Sequence, residues 1–226
     1  MTVAQKNSLQ SKRVIVSYLC DQGEWYGLDK GDKALALHDS HSNKDGLEYF
    51  RQAHRERPPE TNMNNKYLLS EKKEVNGRTL HRIQARTDIG LYARVGQFGG
   101  WIEKEENLSE SGDAWVSGEA EVFGEAHVFG DALVFGNASV GGNARVSGNA
   151  RVGDSTWITD KAWVSDDALV SGRAQVLGYA RIEDSAWVSD NALIGGKVRV
   201  SGYARVGGHA RLVGDEWVSE ETKMLD

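Results

Sequence analysis

The chain has 226 residues, 39% of them hydrophobic, and a formal charge of −6. No apolar run approaches the ~20 residues that a membrane-spanning helix needs, and Met1 to Gln10 is polar, without a hydrophobic signal region. Cys20 is the only cysteine, which excludes an intrachain disulfide and a cysteine-based zinc site, so a cytoplasmic location is expected.

In chain order, Arg13 to Cys20 and Lys33 to His38 read as short strands, and Asp45 to Arg55 as a helix with Leu47, Phe50 and Ala53 on one side. Together they predict a small α+β unit over residues 1–62, closed by a polar linker around Pro58-Pro59. Asp39, His41 and Asp45 are of metal-ligand type, but their setting reads as a solvated turn before a helix, and no metal is expected. Residues 63–112 predict a β-hairpin and a cap. Lys66 to Val75 and Arg78 to Arg86 flank Asn76-Gly77, a pair suited to a two-residue turn. Ile102 and Val116 are fourteen residues apart, which breaks the six-residue register that follows. The stretch Gly99 to Ser109 is therefore read as a cover over the open edge of the first coil.

From Asp113 to Glu220 run eighteen unbroken hexads of the form Asp/Asn-Ala-x-Val-x-Gly. The fourth position is aliphatic in every hexad, and the second is Ala except at Thr156, Val198 and Glu216. Alternate residues of a strand face opposite sides, so these two positions share the inner face. The sixth position is Gly or Asp except at Glu220, residues that tolerate the left-handed backbone of a tight corner. Three hexads then close a triangular coil of 18 residues, and six coils over 113–226 stack into a prism roughly 29 Å long. The expected fold is mainly β, a parallel β-helix.

The hexads resemble the left-handed parallel β-helix of the hexapeptide-repeat superfamily, over about half of the chain. That resemblance implies acyltransferases, zinc carbonic anhydrases or assembly scaffolds, and does not choose among them. A narrower resemblance rests on Met63-Asn64-Asn65-Lys66-Tyr67, on Asn76-Gly77-Arg78-Thr79-Leu80-His81-Arg82-Ile83, and on Gly-Gly-Trp-Ile-Glu followed by Asn107-Leu108-Ser109. From Met63 onward the chain is similar to a family encoded in phage and prophage genomes, which implies a phage or prophage origin and the cytoplasm of a host cell.

An acyltransferase of this class, by the resemblance, is a trimer that holds an acyl-CoA between prisms and uses a histidine base. His209, at a corner, is the candidate base, ahead of the outward His127; no loop interrupts the hexads to build a pocket around either. A zinc carbonic anhydrase needs three convergent histidines, and the repeat holds two.

The third hexad position points outward and carries five of the seven tryptophans. Counted in steps of 18, one face presents Trp115, Leu133, Arg151, Leu169, Trp187 and Arg205, an apolar strip. Another presents His127, Arg145, Trp163, Arg181, Arg199 and Trp217, in which cations alternate with indoles at cation–π spacing. Outward Trp and Arg are enriched at protein interfaces; the same residues also suit a ladder in which each indole lies flat on the neighbouring coil.

The expected function is a non-enzymatic binding or assembly protein. Its interaction surface comprises Trp115, Leu133, Leu169 and Trp187 on one face, with Arg145, Trp163, Arg181, Arg199 and Trp217 on the other. The partner is a protein, including another copy of the chain as dimer or trimer. No cofactor is expected, and acetyl-CoA or another acyl-CoA enters only under the acyltransferase reading. Nucleic acid is not expected, because the repeat holds 15 acids against 9 bases and the remainder is nearly balanced.

Overall fold

Each hexad folds as a strand closed by a corner, and the reason is written in its second, fourth and sixth positions. In a computed structural model, which describes residues 16–19, 25–28, 34–36, 64–220 and 222–225, strands recur every six residues along the repeat. Every rung pairs in parallel with the residues 18 further on, as Val116 with Val134 and Val134 with Val152. Three sheets result, the faces of a solenoid of about seven turns.

The aliphatic fourth position fills the interior. Val116, Val134, Val152, Val170, Val188 and Val206 are fully buried in one column, and the alanines beside them are equally enclosed. At the corners the sixth position adopts positive φ throughout most of the prism, by Gly in some coils and by Asp154, Asp160, Asp166, Asp184 and Asp190 in others. Asp accepts this conformation more readily than most side chains, and here it adds a bond that Gly cannot. Gly172 N–H donates to Asp154 Oδ2 at 2.8 Å, and Gly208 N–H to Asp190 Oδ2 at 2.9 Å. Each aspartate thus ties its corner to the next one. The Gly208 amide and the Ser189 hydroxyl hold the Asp190 carboxyl below the usual carboxylate range.

The solenoid begins earlier than its hexads suggest. Trp101 and Ile102 pair in parallel with Glu121 and Val122, and Leu108 bridges Val128. Ile102 and Leu108 are six residues apart and already occupy interior columns; the register breaks after Leu108, in the bend at 109–112. The expected cover is therefore itself a coil, with two extra residues at one corner. Asn107 completes it: fully buried, its Nδ2 donates to the carbonyls of Gly124 and Ala126 at 3.0 and 2.8 Å. The paired glycines before it are steric requirements. A β-carbon on Gly99 would come within 2.5 Å of the Val116 carbonyl oxygen, and one on Gly100 within 2.6 Å of that of Ala120.

The hairpin forms the true cap. Strands β4 (Tyr67–Val75) and β5 (Arg78–Ala85) turn at Asn76 and Gly77, both at positive φ, as the two-residue turn requires. β5 then pairs antiparallel with β6 (Phe98–Ile102), so the hairpin extends one face of the prism. The edge is passed to β4, whose exposed Glu71, Lys72 and Glu74 discourage pairing with another chain.

Lys66 anchors this cap, its Nζ donating to the Ser109 carbonyl at 3.0 Å. Burial pushes its pKa down from 10.5 to about 8, against the pull of Asp113 and Asp131. A lowered lysine pKa means that the unfolded chain holds a proton the folded chain has released, so stability rises with pH from about 8 towards 10.5. Burial of Tyr67 raises its hydroxyl pKa and takes stability away once pH passes 10.0. The urea midpoint is therefore expected to climb between pH 8 and 10, with Lys66→Met flattening that slope.

The chain divides into two compact units, Met1–Met63 and Asn64–Asp226. In the first, β1 (Val16–Leu19), β2 (Trp25–Leu28) and β3 (Ala34–Ala36) form an antiparallel sheet in that order. β1 and β3 fall within the two expected runs; β2 was not anticipated, because Gly27 interrupts a run of four residues. The expected helix at Asp45 to Arg55, and the residues Asp39, His41 and Asp45, lie outside the described residues. At the other end Lys223–Leu225 adds one more rung, paired with Arg205–Gly207.

Candidate functional site

The outward positions of the prism follow a local rule. An indole at the third position leans back over the fifth position of the preceding coil, sixteen residues earlier, and that residue is small. Trp163 Nε1 donates to Ser147 Oγ at 3.1 Å, Trp187 Nε1 to Ser171 Oγ at 3.4 Å, and Trp217 Nε1 to Ser201 Oγ at 2.9 Å. A guanidinium from an adjacent coil then covers each ring. Arg181 lies 5.5 Å from the Trp163 centroid, Arg199 5.5 Å from Trp217, and Arg205 5.2 Å from Trp187, within cation–π range. Phenylalanines follow a related logic two positions on, at the fifth position. Phe123 and Phe135 lie over Gly141 and Gly153 of the next coil, where any side chain would collide with the ring.

These contacts divide the expected surface in two. The apolar strip is largely closed. Trp115 is fully buried and Leu133 nearly so, which removes both from any interaction surface. Trp115 does point out of the prism, but the cap folds over it: the Tyr67 ring meets it edge-on at 6.5 Å, and Gly99 packs against its six-membered ring. Tyr92 seals the neighbouring corner, its hydroxyl donating to the Asp131 carbonyl. Leu169 is half-buried and Trp187 is 38% exposed, so only the distal part of the strip remains open. Trp157, on the third face, is more exposed than either.

The cation–indole face stays open along its length. Arg145, Arg181, Arg199 and Trp217 are exposed, and Trp163 is half-buried. At its proximal end His127 stacks on Phe129 at 4.9 Å, and burial, together with Arg145, lowers its pKa. His209 sits exposed on a corner near the Asp190 carboxylate and leads into a strand of a different face from that of His127; the two histidines do not converge. Among the described residues no group of three or more His, Cys, Asp or Glu is placed to hold a metal.

The corner before this face carries residues that sequence reading passed over. Lys161, Tyr179 and Lys197 follow one another along the edge, and with Trp163, Arg181 and Arg199 they line a shallow groove of about 390 Å³. Lys161 Nζ contacts the Tyr179 hydroxyl at 3.3 Å. Arg199 pairs with Glu183, whereas Arg145, Lys161, Arg181 and Lys197 form no ion pair among the described residues. Five of the nine bases of the repeat thus gather on one face and its leading edge, in a chain of net negative charge. The opposite edge of the same face is acidic, with Asp166, Asp167 and Asp184 exposed beside Tyr203. Counting the corner positions in steps of 18, as was done for the strands, is the signal that finds both edges.

A family model described as the YdcK beta solenoid repeat matches residues 144–159. That stretch lies within the regular coils and carries part of the open face, Arg145 and Ser147 included. A comparison with curated proteins returned no match to this chain. No helix among the described residues is long and apolar enough to cross a membrane.

Proposed function

We propose that this chain is a binding and assembly scaffold in which the solenoid is a rigid rod and the cation–indole face makes the contacts. The observation that carries this reading is the ordering of the face itself. Each indole is fixed by a serine below and a guanidinium beside it, so large apolar and charged groups are presented with little rotamer freedom left to lose on binding. Interfaces favour such pre-organised Trp and Arg side chains. The narrower sequence resemblance supports a phage or prophage origin, and with it action in the cytoplasm of a host cell.

The test uses tagged full-length protein cross-linked in its native host. The double substitution Trp163→Ser, Trp217→Ser is expected to abolish the cross-linked species, self or foreign, while the melting temperature stays near that of the parent. Cross-linking that survives the double substitution would move the contacts elsewhere. Acetyl-CoA is expected to leave the melting temperature unchanged; a rise that saturates with ligand would reveal binding by mass action and favour acyl transfer instead.

A further inference from the structure

The open face is polarised across its width, and this has consequences for what it binds. Strands on this face run from the basic edge, Lys161, Tyr179 and Lys197, to the acidic edge, Asp166, Asp167 and Asp184, at the same height along the prism. Every rung is in register with the next, as Trp163 with Arg181 and Arg181 with Arg199, so the polarity extends over these rungs, with Asp160, held by the Gly178 amide, as the one acid beside Lys161. We propose, building on the assembly reading above, that the partner of this face is the same face of a second copy, related by a two-fold axis parallel to the prism.

Symmetry makes the argument specific. A two-fold axis along the prism, passing over the inner fourth position of each strand, places the third position of one copy opposite the fifth of the other, and the first opposite the seventh. Lys161 then meets Asp167 of the other copy, Arg181 meets Glu183, which Arg199 of its own chain also holds, and Trp163 meets Ser165, while Ser147 and Ser201 lie buried under Trp163 and Trp217 and stay out of the contact. On the rungs of Trp163 and Arg181 a bulky residue or a cation thus faces a small residue or an acid, whereas the proximal rung would set His127 on Phe129 and Glu125 on Asp131, so the contact lies distal to it. The alternative face-to-face arrangement, with the two prisms antiparallel, keeps the strand direction and sets basic edge on basic edge. Like charges in apposition oppose that arrangement, so electrostatics selects the parallel one. An isologous contact of this kind closes on itself as a dimer.

The size of the face sets the strength. The five rungs from Arg145 to Trp217, by five residues, cover about 24 Å by about 16 Å, so both copies together bury on the order of 800 Å². That lies below the range of permanent complexes, and the dimer is expected to form in the micromolar range and to weaken with salt, since its charges are rim-exposed.

Sedimentation of the full chain over a range of concentrations tests this. The parent is expected to shift from 24.8 kDa towards twice that mass as concentration rises, and to shift back in high salt. Two reversals then separate charge from folding. Lys161→Glu with Lys197→Glu changes the basic edge, and Asp167→Lys with Ser185→Lys changes the acidic edge; all four residues are exposed, and none holds a positive-φ corner. Each double variant alone is expected to stay monomeric with an unchanged circular dichroism spectrum, and the variant carrying all four changes is expected to dimerise again. A parent that remains at 24.8 kDa throughout, or a dimer indifferent to both edges, would overturn the proposal. If the parent stays monomeric while host cross-linking still depends on Trp163 and Trp217, the scaffold reading stands with a foreign partner; if neither mass nor cross-linking depends on this face, both readings fall.

Discussion

Replacing Val152 with Asp is expected to destroy the cooperative unfolding of the solenoid. Val152 is fully buried, with Val134 below it and Val170 above it in the same column. Its column is lined by aliphatic side chains that offer a carboxylate no partner, and a charge stranded there costs roughly 4 kcal/mol or more, most of it as desolvation. Val152→Ala removes only two methyl groups and is expected to cost about 1–3 kcal/mol. The contrast separates burial of a charge from loss of packing. Because each coil contacts only its neighbours, the damage should also be local. Urea unfolding of the Asp variant is expected to show a reduced slope, as the prism splits into segments that melt apart. A single transition with the parent's slope would contradict the stacked-column picture.

The second large effect is expected at Trp115. Its side chain is fully enclosed between the first regular coil, Tyr67 and the glycine pair of β6, and truncation of a buried Trp to Ala costs about 3–5 kcal/mol. The loss should appear first in the cap. Amide exchange in the rungs from Trp115 to Val122 is expected to accelerate well before that of the distal coils, because the cap is what shields their open edge. Trp115→Phe offers a sharper comparison. The indole N–H has no acceptor among the described residues, so the Phe variant sheds an unsatisfied donor together with part of the ring. It is expected to cost much less than the Ala variant, measured by urea midpoint. Equal losses for Phe and Ala would show that the indole makes a bond essential to the cap.

Most of the fold was legible because the period of the repeat is a direct physical constraint. A branched aliphatic residue every six positions, with Gly or Asp two positions later, leaves only a closed stack of short strands, and Val116 and Val134 fall in register as counting predicts. The cation–π spacing was legible for the same reason: residues 18 apart must lie one strand spacing from each other. The first coil was misjudged, since its two extra residues hide the register between Leu108 and Val116 although Ile102 and Leu108 keep it. The apolar strip was overestimated on a different ground. Strand alternation gives the direction of Trp115 but is silent about a hairpin that folds back over it from 48 residues earlier in the chain, where Tyr67 sits.

By itself the sequence determined the coil, its interior columns and its left-handed corners, because these depend on the identity of residues at a fixed step and on sterics within one hexad. Only the tertiary structure decided which outward residues meet solvent, and which cation of the open face is paired. The first depends on a segment distant in the chain, the cap that closes over Trp115, and the second on side-chain geometry that gives Glu183 to Arg199. Burial is a sum over everything nearby, and no local pattern contains it.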